Sequence, residues 1–110
     1  MKIYNKTNQR LITDQAKLAT SFLDRFLGLL NPHNSRALIF QTRFGLHTFG
    51  LKKPIDILLL DDQGVVVQKE ASFAPNQFYF YSPIYKTVIE LPAGSLLQSQ
   101  TKLNDKIIFA

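Results

Sequence analysis

The stretch that decides the fold is Ile55-Asp56-Ile57-Leu58-Leu59-Leu60-Asp61-Asp62-Gln63-Gly64-Val65-Val66-Val67-Gln68-Lys69-Glu70. Two apolar or β-branched runs flank a short loop that contains glycine. That pattern is a β-hairpin signal. Outward from it, short strands recur at turn-like spacing. Upstream lie Lys2–Tyr4, Arg10–Ile12, Ala37–Phe40 and Gly45–Phe49, the last followed by a bend between Gly50 and Pro54. Downstream lie Phe78–Tyr81, Tyr85–Leu91 stopped by Pro92-Ala93-Gly94, and Lys106–Phe109. Ser95 to Gln100 leaves room for one short helical turn.

One segment has helical period. Ala19, Phe22, Leu23, Phe26, Leu27 and Leu30 fall at i, i+3, i+4, i+7 spacing, which is one buried helix face. Ser21 and Asp24 have capping-box spacing. Asn31-Pro32 ends the pattern, because the residue before proline is pushed out of the α region. A helix is expected over about residues 21–30. Many short strands with one helix predict a mainly β fold, a compact β-sandwich or barrel, as a single domain over residues 1–110.

Composition agrees. Of 110 residues 45% are hydrophobic and 19% charged, which excludes a disordered chain. With no cysteine, disulfides, thiolate metal sites and cysteine nucleophiles are excluded. The longest apolar run, Ile57–Leu60, is far shorter than the ~20 residues a membrane-spanning helix needs. The N-terminus lacks the apolar stretch of a signal peptide, so a cytoplasmic location is expected. The net charge of +5 and pI near 9.6 bring an anionic surface or nucleic acid into view. The basic residues are spread out, with Lys2, Lys6, Arg10 and Lys17 the nearest thing to a cluster. A solvated surface is the simpler reading, and nucleic acid is disfavoured as a partner.

Several motifs resemble the domain-of-unknown-function 192 family. They are Ala19-Thr20 with Arg25-x-x-Gly28-Leu29-Leu30, then Leu46-His47-Thr48-Phe49-Gly50-Leu51 with Pro54-Ile55-Asp56. Asp61-Asp62-x-Gly64-Val65-Val66 and Val88-Ile89-Glu90-Leu91-Pro92-Ala93-Gly94 follow in order. There are departures: leucine stands at 30 and 51 where members often have methionine, and Asn104-Asp105 replaces a usual Gly-Asp. Some members carry a cysteine just before the His-Thr pair; Arg43, Phe44 and Gly45 occupy that region here. The resemblance implies a compact β-sandwich or barrel of jelly-roll-like character and no established activity. It also implies, for some members, export or a link to pilus or secretion systems.

The candidate binding residues are Arg25, His47, Thr48, Asp56 and Glu90. His47, Asp56 and Glu90 interrupt apolar strand segments, and charged groups there are costly to bury unless partnered. One reading makes His47, Thr48 and Asp56 the rim of a small polar cleft, with Arg25 and Glu90 on its floor. The other makes Asp56 a brace that accepts hydrogen bonds from the Gly50–Lys53 turn or from Thr48, and Arg25 an ion-pair partner of a carboxylate. With only two histidines and no local ligand spacing, no metal and no cofactor are expected. The function expected is a non-catalytic binding or accessory module, monomeric or weakly oligomeric. Its partner would be another protein or a small anionic or polar ligand. The rival is a small hydrolase- or lyase-like enzyme using His47 with Asp56 or Glu90. Phe78-Tyr79-Phe80-Tyr81 resembles a stacking platform, although such alternation is more often half core and half surface.

Overall fold

The computed structural model describes residues 1–19 and 37–110. In chain order its strands are β1 (Ile3–Asn5), β2 (Arg10–Thr13), β3 (Ala16–Leu18), β4 (Ala37–Gln41) and β5 (Leu46–His47). Then come β6 (Ile55–Leu60), β7 (Val66–Phe73), β8 (Phe78–Tyr79), β9 (Thr87–Pro92), a short helix α1 (Ser95–Ser99) and β10 (Ile107–Phe109). The expected helix over 21–30 lies outside the described residues.

The organising element is a five-stranded sheet in the order β3-β4-β9-β6-β7. Its inner strands are buried on both faces, and Ile57, Leu58, Leu59 and Leu60 are each at most 1% exposed. That explains the unbroken apolar run: a strand covered on both sides does not alternate apolar with polar. On one face Ala37, Ile39, Leu58, Leu60, Ile89 and Leu91 pack with Ile3, Ile107 and Leu96. These come from the three-stranded sheet β10-β1-β2 and from α1. On the other face Phe40, Ile55, Ile57, Leu59 and Val88 pack with Leu46, Leu51 and Tyr79, brought by the small sheet β5-β8 and the loop after it. The described residues are mainly β and sandwich-like, with several sheets and no closed barrel among them.

The hairpin joining β6 to β7 forms as its sequence predicts. Asp61 Oδ1 accepts the amides of Gln63 (2.8 Å) and Val65 (2.9 Å), an Asx-type brace. Gly64 has φ +80°, and a Cβ there would sit 2.6 Å from the carbonyl oxygen of Ile107. The same glycine's carbonyl accepts the Ile107 amide, so the turn is fastened to the last strand. Gly64→Ala should combine left-handed strain with a backbone clash, costing about 2–4 kcal/mol. Urea denaturation would measure it; a loss below about 0.5 kcal/mol would show that β10 yields freely.

Two features differ from expectation. Ala16–Leu18 forms an edge strand parallel to β4, although Ala-Lys-Leu carries no strand signal. The aromatic run Phe78–Tyr81 contributes only the two-residue β8, paired antiparallel with β5 through Leu46↔Tyr79 and His47↔Phe78.

Candidate functional site

Among the described residues singled out from the sequence, Asp56 and Glu90 project from opposite faces of the central sheet. In the antiparallel pair β6–β9, Asp56 lies opposite Leu91 and Ile57 opposite Glu90. Opposed residues share a face and neighbours alternate. Asp56 therefore projects to the face of Leu58, Leu60 and Leu91, and Glu90 to the face of Ile57 and Val88. Asp56 is fully buried, so it is not the solvent-facing rim residue expected, and Glu90, expected on the floor, is 1% exposed. Arg25 lies outside the described residues.

Asp56 acts as a brace, with partners other than those expected. Its Oδ1 accepts the Ser72 amide and its Oδ2 the Leu96 amide, both at 2.8 Å. The register of β6 against β7 shifts between Ile55 and Ile57, leaving Ala71 and Ser72 opposite Asp56 alone. This is a β-bulge, and Ser72 sits in it at φ +53°. The second oxygen reaches the first turn of α1, where Gly94 supplies no side-chain cap. One carboxylate thus fixes an irregular strand and a helix start.

Thr48 is a second brace, and it serves another joint. Its hydroxyl donates to the Ala74 carbonyl (2.8 Å) and accepts the Gln77 amide (3.0 Å), while its backbone carbonyl accepts the Asn76 amide (3.0 Å). At 1% exposure it locks the segment after β5 to the loop before β8.

His47, beside it, is part of the surface. Its Nδ1 accepts the Phe49 amide at 3.3 Å. Its ring stacks on Phe49 with centroids 5.0 Å apart. Phe49 meets Phe78 edge to face at 4.8 Å, and Phe78 lies beside Phe80 at 5.6 Å and 16°. The alternation in Phe78–Tyr81 is realised: Phe78 is 58% and Phe80 71% exposed, while Tyr79 is buried. Burial, and then the Glu70 carboxylate, push the Tyr79 hydroxyl up to about 12. It stays protonated near neutrality and is no candidate base.

Sequence reasoning missed that His47 joins this aromatic ladder, and it missed Phe44. Phe44 is 94% exposed, in a bend held by Arg43, whose Nη1 donates to the Pro83 (2.7 Å) and Ile84 (3.1 Å) carbonyls. Tyr81 donates its hydroxyl to the Thr42 carbonyl at the same joint. A phenylalanine between arginine and glycine in a turn was the available signal. Among the described residues no group of three His, Cys, Asp or Glu side chains could hold a metal ion, and no helix is long and apolar enough to cross a membrane.

The chain is similar to known proteins along nearly its whole length. A UPF0127 protein of Thermococcus sibiricus is 32% identical over 112 residues, covering 96% of this chain and 72% of that protein. One of Pyrococcus abyssi is 29% identical, covering 96% and 94%. Among solved structures, a protein of unknown function from Novosphingobium aromaticivorans superposes with TM-score 0.76 at 15% identity, over 98% of this chain and 82% of that one. A protein from Sinorhizobium meliloti 1021, provisionally described as a transcription regulator, superposes with TM-score 0.72 at 16% identity, over 97% and 89%. At such identities the likeness concerns the fold alone. The family model described as Uncharacterized ACR, COG1430, matches residues 3–109, and with it the chain belongs to the DUF192 family.

Proposed function

We propose that this protein is a non-catalytic binding module whose contact surface is the aromatic face of β5 and β8 around His47. One observation carries the reading: His47, Phe49, Phe78 and Phe80 form a line of successive ring contacts, and the three phenylalanines remain 40%, 58% and 71% exposed. Contiguous exposed aromatic surface is costly for a solitary protein and marks interaction sites. The rings sit on a joint stiffened by Thr48, so ordering them on contact costs little. His47 supplies the polar contact at one end of the ladder. The acid–base alternative lacks support on the Asp56 side, because both oxygens of that carboxylate are taken by backbone amides and point away from His47's sheet.

The test is a comparison of immobilised wild-type protein with Phe78→Ser/Phe80→Ser and with His47→Ala. All should melt within a few degrees of one another, since the altered groups are at the surface. Partners retained from the cell of origin by the wild type should be lost from the double variant and reduced with His47→Ala. Unchanged retention by the double variant, or a turnover that vanishes with His47→Ala, would overturn the reading.

A further inference from the structure

From the arrangement around this face, and resting on the reading just given, we infer that the surface it meets is an anionic lipid bilayer, with Phe44, Phe80 and Ile84 entering the interface. The exposed apolar groups are tips on turns rather than the walls of a groove. Phe44 is 94% exposed on one bend, Ile84 67% on a second turn, and Phe80 71% on the strand end between them. The three are held together. Arg43 bonds the carbonyls of Pro83 and Ile84, and a Cβ at Gly45 would lie 2.7 Å from the Tyr79 carbonyl oxygen and 3.4 Å from the Phe80 ring. Phe78 and Phe49 continue the apolar surface towards His47.

The two segments that carry these tips are basic in sequence. Residues 42–55 and 76–89 supply every group just named, and they contain Arg43, Lys52, Lys53 and Lys86 but no Asp or Glu. Glu70 acts on this region from β7, but on the buried Tyr79 hydroxyl, on the side of β8 opposite the exposed rings. Lys52 and Lys53 are exposed in the bend that follows Phe49. Protruding phenylalanine and isoleucine on segments that also carry lysine and arginine have the composition that suits an anionic bilayer interface. A protein groove would instead select a concave match to each ring and needs no uniform basic rim. Among the described residues no helix is long and apolar enough to cross a membrane; the contact inferred is peripheral and reversible.

Co-sedimentation with sonicated vesicles tests this. Wild-type protein should bind equimolar phosphatidylglycerol/phosphatidylcholine vesicles and fall to background on pure phosphatidylcholine or on adding salt. Phe44→Ser/Phe80→Ser and, separately, Lys52→Glu/Lys53→Glu should each weaken binding about tenfold or more, with unchanged circular dichroism and melting. Absence of wild-type binding to the anionic vesicles overturns the bilayer assignment. If Phe78→Ser/Phe80→Ser then still abolishes retention of a cellular protein, the binding-module reading stands and its partner is a protein. If that variant changes neither assay, both readings fall. Vesicle binding that persists in both the phenylalanine and lysine variants would also overturn the inference, since the contact would then lie elsewhere.

Discussion

Replacing Asp56 by alanine should lower the unfolding free energy by about 3–5 kcal/mol, the largest effect expected of any single polar residue among those described. The wild-type carboxylate satisfies the Leu96 amide in a buried setting and the Ser72 amide in a partly buried one. Each amide left without an acceptor costs about 1–3 kcal/mol, and bonds to an ionised acceptor stand at the upper end. Two further losses follow. Ser72 at φ +53° loses the bond that offsets its left-handed strain. The helix Ser95–Ser99 loses the side-chain acceptor at its first turn, because Gly94 at the N-cap has no side chain to supply one. Asp56→Asn should fall between the two: its amide oxygen can serve one donor, but its NH₂ group then faces the other. Guanidinium denaturation of the three proteins checks the order wild type, Asn, Ala. A loss under about 1 kcal/mol for alanine would mean that water enters and replaces the carboxylate, so the joint would not be closed.

The contrast between Asp56 and the hairpin beside it shows what the sequence carries and what it does not. Asp61 and Gly64 act on residues two to four positions away, so turn chemistry is written locally and is readable. An aspartate continued by Ile57-Leu58-Leu59-Leu60 is visibly anomalous, and that much was legible. Its partners, Ser72 and Leu96, lie 16 and 40 residues away, and no local pattern points to them. The same holds for grouping His47, Asp56 and Glu90. Each is readable as a polar interruption, but whether two of them share a face is set by the β6–β9 register, in which Asp56 is opposite Leu91 and Glu90 opposite Ile57. That register is a tertiary fact, decided by which rows of leucine and isoleucine meet. The aromatic run was half legible: its alternation was apparent, and its exposed half was not. Phe78 and Phe80 face outward because Tyr79 must cover Phe73, with ring centroids 5.4 Å apart, and that contact joins separate strands. The short β3 was illegible because it forms by pairing with β4 rather than by propensity.

The polar cluster at the opposite end of the sequence gives the second large expected effect: Asn5→Leu should destabilise the protein by about 2–4 kcal/mol even though it places an apolar residue of similar size in a fully buried position. Asn5 is inaccessible to solvent and uses both ends of its amide. Its Oδ1 accepts the Thr7 and Asn8 amides at 3.0 and 3.2 Å, closing the turn into β2. Its Nδ2 donates to Asp105 Oδ2 at 2.8 Å and to Thr101 Oγ1 at 3.3 Å. Asp105 Oδ2 also accepts the Lys102 amide at 2.9 Å, and Thr101 Oγ1 lies 2.7 Å from Ser99 Oγ. One asparagine therefore joins the first strand to the segment after α1, about a hundred residues away. Leucine would add apolar burial, worth about 1.5–3 kcal/mol, but would remove one of the two donors to Asp105 Oδ2, the bond to Thr101, and the acceptor of the part-buried Thr7 and Asn8 amides, at about 0.5–1.5 kcal/mol for each bond and about 1.5–3 kcal/mol for the one to the carboxylate. The losses outnumber the gain, and a charged group is among them. The double variant Asn5→Leu/Asp105→Leu separates the terms. Removing both partners should recover part of the loss, as exchanging a paired polar set for apolar groups does, whereas Asp105→Leu alone should be about as damaging as Asn5→Leu. Measured as a double-mutant cycle by urea denaturation, the coupling should be about 1–3 kcal/mol. Strict additivity would show that Asn5 acts through the Thr7–Asn8 turn alone and that Asp105 is held by Lys102 without it.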